Sequence, residues 1–341
     1  MKYRKLPDTN VQPISEIGFG LWTLTTGWWG HYTDAEAVAL LRSARDRGIN
    51  FFDAADSYSN GRSEALLADA FASERDQVVI ATKVGYDFYS HGENRRGERE
   101  LPQDFSVNFI REAVEKSLGR LRTDRIDVLQ LHNIRFEQVI DDALWTLLEN
   151  LQSEGKVLSY GIALGPAIGW LQEGVQTIKK RHPHVVQHIY NLFERHPGRS
   201  ILDAGDVGER TRHLIRVPHS SGLLEGKYTA ETVFPEGDHR RHRPRSWLLD
   251  GVKKVEALRL LEWTDRTLGQ VALQWLLSEP KIACCLPNIY NEEQLVEFTD
   301  AVECPPFTEE ERSAIDSLIA VNFGVEDSSP PKFKGTMEPV S

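Results

Sequence analysis

The stretch GINFFDAADSY, residues 48–58, places an acidic residue and a tyrosine directly after a short apolar run. Phe51 and Phe52, with flanking Ile49, form a run that is too short for a helix, which predicts a strand buried on both faces. Asp53 ends this strand. A buried carboxylate costs roughly several kcal/mol unless a cation meets it, so the sequence should supply a cationic partner nearby.

Two further apolar runs end in an ionisable residue, VVIATK at Lys83 and IDVLQLH at His132. Taken singly, such a residue is more often a solvated loop residue or a hydrogen-bonded structural histidine. The alternation of apolar strands with amphipathic helices, however, predicts a single-domain (β/α)8 barrel of the TIM type, in which active-site residues follow the carboxyl ends of the strands. We therefore expect four side chains to converge at one end of a parallel sheet: Asp53, Tyr58, Lys83 and His132.

These residues also carry a resemblance to the aldo-keto reductase superfamily, of which the chain looks like a divergent member. The family pattern D-x-A-x-x-Y matches Asp53, Ala55 and Tyr58, and the helix start G-x-S-E matches Gly61, Ser63 and Glu64. The strand-end lysine matches Lys83, and L-H-N matches residues 131–133. The resemblance implies a barrel enzyme that reduces an aldehyde or ketone to an alcohol by hydride transfer from a nicotinamide cofactor.

Length and composition agree with one soluble enzyme domain. The chain has 341 residues and 40% hydrophobic content, enough for one large core; we expect the barrel over residues 1–323 and a mobile tail, poor in apolar residues, over 324–341. The net charge of −11 argues against nucleic acid or anionic membranes as partners and favours a small carbonyl compound. No run approaches the roughly 18 apolar residues of a membrane span, so a cytoplasmic location is predicted. No pattern predicts an oligomeric state.

Other chemistries lack their sequence patterns. Cys284, Cys285 and Cys304 show no ligand spacing, and we interpret them as reduced packing thiols. His182, His184 and His188 lack a supporting cysteine or carboxylate pattern, so no metal site is expected. A serine-hydrolase elbow and a G-x-G-x-x-G dinucleotide fingerprint are also missing.

The resemblance assigns roles to the residues at the strand ends. Hydride arriving at a carbonyl carbon leaves negative charge on oxygen, so the site needs a proton donor and a hydrogen-bonding group aimed at that oxygen. Tyr58 is the implied donor, Lys83 stabilises its phenolate, Asp53 holds Lys83, and His132 orients the carbonyl. The expected substrate-binding residues are Trp22, Tyr58, Tyr86, His132 and Asn133.

Cofactor recognition departs from the family pattern. The Ser-Asn pair that usually holds the nicotinamide carboxamide after the fifth strand is replaced by Ala163 and Leu164, whereas Gln187, the other usual partner, is retained. Arg216 stands where an aromatic residue commonly stacks on the nicotinamide, and a cation there would repel the oxidised ring. The expected cofactor-binding residues are Gly20, Trp22, Asp53, Gln187, Arg216, Val217, Pro218, His219, Ser220, Gly222, Lys227, Arg240, Asn288, Tyr290 and Gln294.

Two questions stay open at this level. No Lys or Arg lies within residues 288–294 to bind a 2′-phosphate, so the expectation of NADP(H) over NAD(H) follows family habit. The basic cluster HRRHRPR, residues 239–245, is either a solvated loop, a clamp over the cofactor phosphates or a nucleic-acid patch, and the overall acidity opposes the last.

The eroded cofactor contacts leave two alternatives to a reductase. One is an epimerase or lyase-like enzyme that recycles a bound cofactor; the other is a nucleotide-sensing regulatory subunit, like the potassium-channel β subunits.

Overall fold

The structure is a computed structural model that describes residues 1–92, 100–205, 210–261 and 263–339. Its strands are β1 (Tyr3–Arg4), β2 (Ile14–Ser15), β3 (Phe19–Gly20), β4 (Phe51–Asp53), β5 (Val79–Val84), β6 (Ile126–His132), β7 (Val157–Ala163), β8 (Val185–Ile189), β9 (Arg212–Arg216) and β10 (Ile282–Leu286). Its α-helices are α1 (Trp22–Thr25), α2 (Asp34–Asp46), α3 (Arg62–Phe71), α4 (Phe88–His91), α5 (Val107–Leu121), α6 (Phe136–Ile140), α7 (Asp142–Ser153), α8 (Leu171–Arg181), α9 (Gly198–Leu202), α10 (Arg245–Arg259), α11 (Leu268–Leu277), α12 (Glu292–Asp300) and α13 (Glu309–Ala320).

Strands β3 to β10 form one parallel sheet in sequence order. Backbone hydrogen bonds from Cys285 to Glu16 (2.8 Å) and from Gly18 to Cys285 (2.9 Å) join the last strand to the segment before the first. The predicted (β/α)8 barrel and its single-domain organisation are therefore confirmed. The antiparallel pair β1–β2 lies outside this sheet.

The strands alternate between two apolar layers, as a period of two requires. Phe51, Ala81 and Val128 belong to the cluster that fills the barrel, together with Ile14 of β2. Their sequence neighbours, such as Phe52, belong to the larger cluster between the strands and the helices. Both faces of each strand are thus buried, which explains the continuous apolar runs.

The same alternation places polar side chains above the filled barrel. On each strand, every second residue counted from an apolar interior residue also faces the interior. At the strand ends, the residues on this face are Asp53, Lys83, Gln130, His132, Gln187 and Arg216. Because parallel strands end at the same edge, these six side chains form one polar rim.

Two helix starts are set by the loops before them. Residues 136–153 form α6 and α7 rather than one helix, because the Asp141 carboxylate accepts hydrogen bonds from the backbone of Ala143 (3.0 Å) and Leu144 (3.3 Å) and begins a new helix. Helix α8 begins at Leu171, after the loop that contains Pro166.

The C-terminal segment, expected to be mobile, lies on the barrel in the structure. The Ser328 hydroxyl donates to Asp250 (2.7 Å), the Lys334 carbonyl accepts from the Trp170 backbone (2.7 Å), and the Thr336 backbone donates to Glu173 (3.0 Å). These contacts are polar and distant in sequence, so an apolar pattern carries no trace of them.

Two other expectations concern residue surroundings. The three cysteines are free thiols, and burial raises the pKa of Cys284 well above its usual range, in agreement with packing roles. Among the helices of the described residues, none combines the length and the apolar character needed to cross a membrane.

Candidate active site

The centre of the polar rim is a buried ion pair between β4 and β5. The Lys83 ammonium lies 2.6 Å from Asp53 Oδ2 and also donates to the Ala54 carbonyl at 2.7 Å. Only 1% of Lys83 is exposed. Burial alone would lower the pKa of Lys83, but the attraction of Asp53 and Tyr58 outweighs it and raises the pKa above its ordinary value. Lys83 is therefore a fixed cation.

Tyr58 meets this cation directly. The Lys83 Nζ atom lies 4.9 Å from the centre of the Tyr58 ring. The ring is held on its other side by Trp22, edge-on at 4.9 Å, and by His132 at 5.7 Å between ring centres. The four residues predicted to converge, Asp53, Tyr58, Lys83 and His132, are brought together.

Tyr86 and Asn133 extend the site along the exits of β5 and β6. The Tyr86 ring stands edge-on to His132 at 4.9 Å, and its hydroxyl accepts a hydrogen bond from Asn133 Nδ2 at 2.8 Å. The hydroxyl in turn donates to Glu100. Burial, followed by the Glu100 carboxylate, raises the pKa of Tyr86, so this phenol stays protonated. Trp22 and Tyr86 thus pack against the rings of Tyr58 and His132, respectively.

Sequence reasoning missed three residues that support this arrangement. Gln130 Nε2 donates to Asp53 Oδ1 at 3.0 Å, and Arg135 forms two 3.0 Å contacts with the Glu100 carboxylate that holds Tyr86. Gln130 stands two residues before His132, on the same face of β6, and this spacing was a usable signal. Glu100 and Arg135 are loop residues, and no local pattern pairs them.

A second buried carboxyl, Asp56, lies behind the ion pair. It is fully buried, and neither carboxyl oxygen has a hydrogen-bond partner within the described part of the chain. Burial, followed by the charge of Glu64, raises the pKa of Asp56 well above its ordinary range. Glu64 is itself bound by Arg120 at 2.6 Å. Burial thus favours the protonated form of Asp56, close to Lys83.

The rim continues differently from β7 to β9. Gln187, expected to hold the nicotinamide carboxamide, donates instead from its amide Nε2 to Asp53 Oδ1 at 3.0 Å. Ala163 and Leu164 supply no polar side chain at the end of β7. The Asp53 carboxylate therefore collects three side-chain donors, from Lys83, Gln130 and Gln187.

Arg216 crosses this part of the rim. Its guanidinium donates to the Leu164 carbonyl at 2.6 Å, and its Nε atom is buried without a hydrogen-bond partner among the described residues. Desolvation lowers the pKa of Arg216, and the attraction of Tyr58 and Asp53 opposes this. Arg216 therefore lies near Tyr58 and Asp53.

The segment from Val217 to Lys227, expected to cradle the cofactor pyrophosphate, consists of turns and a short 3-10 helix at Leu223–Glu225. A Cβ atom at Gly222 (φ +93°) would lie 2.2 Å from the Tyr228 hydroxyl, so only glycine fits there. Ser220 donates to Glu194 at 3.1 Å, and the Val217 carbonyl accepts from Asn191 at 3.0 Å.

Other members of this predicted set point elsewhere or outward. The His219 ring is buried against Gly269 O (3.0 Å), and burial lowers its pKa to about 4, so it is neutral and turned into the core. Pro218 is buried beside it, and Lys227 is exposed, 3.9 Å from Glu293.

The basic cluster is largely paired. Arg240 donates to Asp238 (2.8 Å) and Tyr228, and its guanidinium lies 4.7 Å from the Trp29 ring centre. Arg240, which is expected to contact the cofactor phosphates, is thus held by contacts within the protein. His239 stacks on Trp28 at 4.9 Å, so the segment 238–243 closes onto the loop after β3.

The remaining predicted residues lie around this closure. Tyr290 stacks on Trp29 at 6.2 Å, and its backbone donates to Gln294 Oε1 at 3.1 Å. Gln294 also donates to Glu225 at 3.0 Å, while Asn288 is partly exposed. A Cβ atom added at Gly20 would meet no atom within 4 Å, so space is open above β3.

The residues present fit a nicotinamide cofactor better than a metal ion. Within the described ranges, no group of three or more His, Cys, Asp or Glu side chains could hold a metal. The open space above Gly20 and the unused, buried Nε–H of Arg216 are features that a planar group with a hydrogen-bond acceptor would complete.

Comparisons with known proteins agree with this geometry. The model of the "Aldo/keto reductase family" matches residues 16–320. "Uncharacterized oxidoreductase YqkF" of Bacillus subtilis is 31% identical, with 93% of this chain and 96% of the relative aligned. "Probable voltage-gated potassium channel subunit beta" of Oryza sativa is 28% identical over 94% of this chain and 96% of the relative.

A solved structure, "aldo-keto reductase AKR11C1 from Bacillus halodurans (holo form)", superposes with a TM-score of 0.72 at 29% identity, covering 93% of this chain and 96% of the other. The family model alone spans most of the chain. The chain therefore belongs to the aldo/keto reductase family, whose members are oxidoreductases.

Proposed function

We propose that this protein reduces an aldehyde or ketone to an alcohol, with Tyr58 as the proton donor. The observation that carries the proposal is the Lys83 ammonium, which Asp53 and the Ala54 carbonyl fix beside the Tyr58 ring in a buried site. A fixed ammonium stabilises the negative charge that develops on a phenol oxygen as its proton leaves. This charge arises only in the transition state, so the arrangement favours reaction rather than binding.

The chain's own residues divide the work of reduction. A bound reduced nicotinamide supplies the hydride. Tyr58 gives its proton to the carbonyl oxygen, Lys83 stabilises the resulting phenolate, and Asp53 holds Lys83 in place. His132 donates a hydrogen bond that orients the carbonyl, and Trp22, Tyr86 and Asn133 form the walls that receive the rest of the substrate.

Cofactor binding is proposed for the rim of β7–β9, the turn after it and the closing loop. The residues are Gly20, Trp22, Asp53, Gln187, Arg216, Val217, Pro218, His219, Ser220, Gly222, Lys227, Arg240, Asn288, Tyr290 and Gln294. NADP(H) rather than NAD(H) is proposed from family habit alone, since residues 288–294 contain no Lys or Arg.

The test is to titrate the purified protein with NADPH and with NADH and then to follow oxidation of the reduced cofactor with aliphatic aldehydes, aromatic aldehydes and ketones. We expect carbonyl-dependent oxidation that Tyr58→Phe abolishes. Oxidation that continues unchanged in Tyr58→Phe would remove Tyr58 from the donor role.

A nucleotide-sensing regulatory subunit is the second candidate, since a relative bears the name of a potassium-channel β subunit. The complete set of Asp53, Tyr58, Lys83 and His132 favours the enzyme. Tight nucleotide binding without turnover of any carbonyl would favour the subunit.

A further inference from the structure

The Arg216 side chain is held by a backbone carbonyl and needs a glycine beside it. It ends β9 on the barrel interior, and its side chain passes the end of β8 to reach the Leu164 carbonyl after β7, at 2.6 Å. A Cβ atom at Gly165 would lie 1.8 Å from the guanidinium, so the close approach requires glycine there. The backbone of Gly165, at φ +140°, also favours glycine.

This fixed guanidinium has a hydrogen bond left to make. Its Nε atom is buried and has no acceptor among the described residues. The Asp53 carboxylate, which attracts Arg216, is already paired with Lys83. A buried donor without an acceptor is destabilising, and an acceptor brought by a ligand would remove this cost.

The other polar groups of the rim are already engaged. Lys83, Gln130 and Gln187 all donate to Asp53, and Asn133 donates to Tyr86. Ala163 has no polar side chain. The Nε–H of Arg216, buried without an acceptor among the described residues, remains available for a ligand near Tyr58 and Asp53.

A nicotinamide ring carries one hydrogen-bonding substituent, its carboxamide. We propose that the Arg216 Nε–H binds the carboxamide oxygen of the nicotinamide, in place of polar side chains that the end of β7 lacks. Arg216 is thus a positioning residue that sets the orientation of the ring, and this role rests on the proposed function.

The proposal is tested by direct binding of three nucleotides, measured by calorimetry on the full chain. ADP-ribose lacks the ring, NAD⁺ carries the carboxamide, and nicotinic acid adenine dinucleotide carries a carboxylate in its place. The last two share the same ring charge, so their ratio of dissociation constants reports the substituent alone. The wild type should bind the carboxylate form roughly tenfold more tightly than NAD⁺, because a charged acceptor makes the stronger hydrogen bond to a guanidinium.

Arg216→Met should bring this ratio to about one or below while leaving ADP-ribose affinity unchanged. Arg212→Met, the same substitution at the other end of β9, is the matched control and should keep the wild-type ratio. Arg216→Lys, which keeps the charge, should retain part of the preference and serves if the Met variant fails to fold.

Equal affinity of the wild type for NAD⁺ and its carboxylate analogue would overturn the proposal, as would an unchanged ratio in Arg216→Met. If Arg216 instead binds an anionic substrate, Arg216→Met should leave the ratio of dissociation constants unchanged. The variant should then differ from the wild type in its discrimination between pyruvate and methylglyoxal. Failure of the wild type to bind even ADP-ribose would overturn the proposed function itself. This result is distinct from a loss confined to the substituent.

Discussion

The strand ends of β4–β6 and those of β7–β9 form two halves of one polar rim, and they are completed in different ways. In the first half, Lys83 and Gln130 meet Asp53, and Tyr58 meets Lys83. In the second half, Gln187 also turns to Asp53, and Arg216 keeps a buried donor unused. The half proposed for proton transfer is joined by contacts among the described residues, whereas the other half leaves the buried Nε–H of Arg216 without an acceptor among them.

The largest effect is expected when Tyr58, the proposed proton donor of the first half, loses its hydroxyl. Tyr58→Phe should lower kcat for carbonyl reduction by roughly 10²–10⁴, the range that general acid catalysis contributes. Affinity for ADP-ribose should stay as in the wild type, because the hydroxyl acts on charge formed in the transition state. Steady-state kinetics with calorimetry measures both, and Tyr160→Phe, on the outer face of β7, is the control. Retention of most of kcat would contradict the assignment.

Removing the Lys83 cation should abolish turnover and lower the free energy of unfolding. Lys83→Met leaves the Asp53 carboxylate buried with only neutral donors, so we expect the free energy of unfolding to fall by about 3–5 kcal/mol and turnover to be lost. The double variant Lys83→Met, Asp53→Asn should regain stability but no activity. Urea unfolding of both variants checks this. If Lys83→Met were as stable as the wild type, the Asp53 carboxylate would not be left as an uncompensated buried charge in this variant.

The second half should respond to the redox state of the cofactor. Oxidised nicotinamide is positively charged and reduced nicotinamide is neutral, so Arg216 should disfavour the oxidised form alone. At about 4 Å and an effective dielectric of about 20, the repulsion would be roughly 4 kcal/mol, an upper figure. The wild type should therefore bind the reduced form at least several-fold more tightly, and Arg216→Tyr should narrow the gap. Equal dissociation constants for both forms in the wild type would contradict this.

A substitution in the segment 238–243, which closes onto the loop after β3, should give a smaller effect. Since Arg240 is paired with Asp238 and Tyr228, Arg240→Ala should weaken nucleotide binding several-fold by loosening the loop, and the salt dependence of binding should not change. Arg241→Ala, an exposed neighbour, should behave as the wild type. A flatter salt dependence in Arg240→Ala would instead indicate a direct phosphate contact.

The smallest effect concerns Asp56 and pH. Its folded pKa lies well above the ordinary 3.8, so its contribution to stability is present below about pH 4 and is lost as the pH rises through the folded value. Glu64, Arg120, Lys83 and Tyr89 are the charged and titratable groups around it. Asp56→Asn should flatten the fall in unfolding free energy with rising pH, measured by urea unfolding at several pH values. An unchanged slope would place the titration elsewhere.

The first half of the rim could be predicted from sequence because its signals are local. Asp53 and Tyr58 lie five residues apart, and Lys83 and His132 each end an apolar run, so strand polarity alone brings them to one edge. The barrel followed from the same runs. Of the three site residues that were missed, Gln130 had a usable strand spacing, whereas Glu100 and Arg135 are loop residues whose contact depends on how two loops fold.

The partners within the second half could not be predicted in the same way. Gln187 was identified as a polar strand-end residue, but whether its amide faces a cofactor or Asp53 depends on the neighbouring strands. His219 belongs to the same predicted cofactor-binding segment as the exposed Lys227, yet its ring is buried against α11 and α12.

The sequence by itself determined the barrel and the convergence of Asp53, Tyr58, Lys83 and His132, because the period of two and the common direction of parallel strands fix which side chains share an edge. Only the tertiary structure decided what each polar group bonds to. Gln187 joins Asp53, the C-terminal segment joins Glu173, and Arg216 reaches Leu164 past Gly165. Hydrogen bonds are short-ranged and directional, so their partners are settled by distances between elements far apart in the chain.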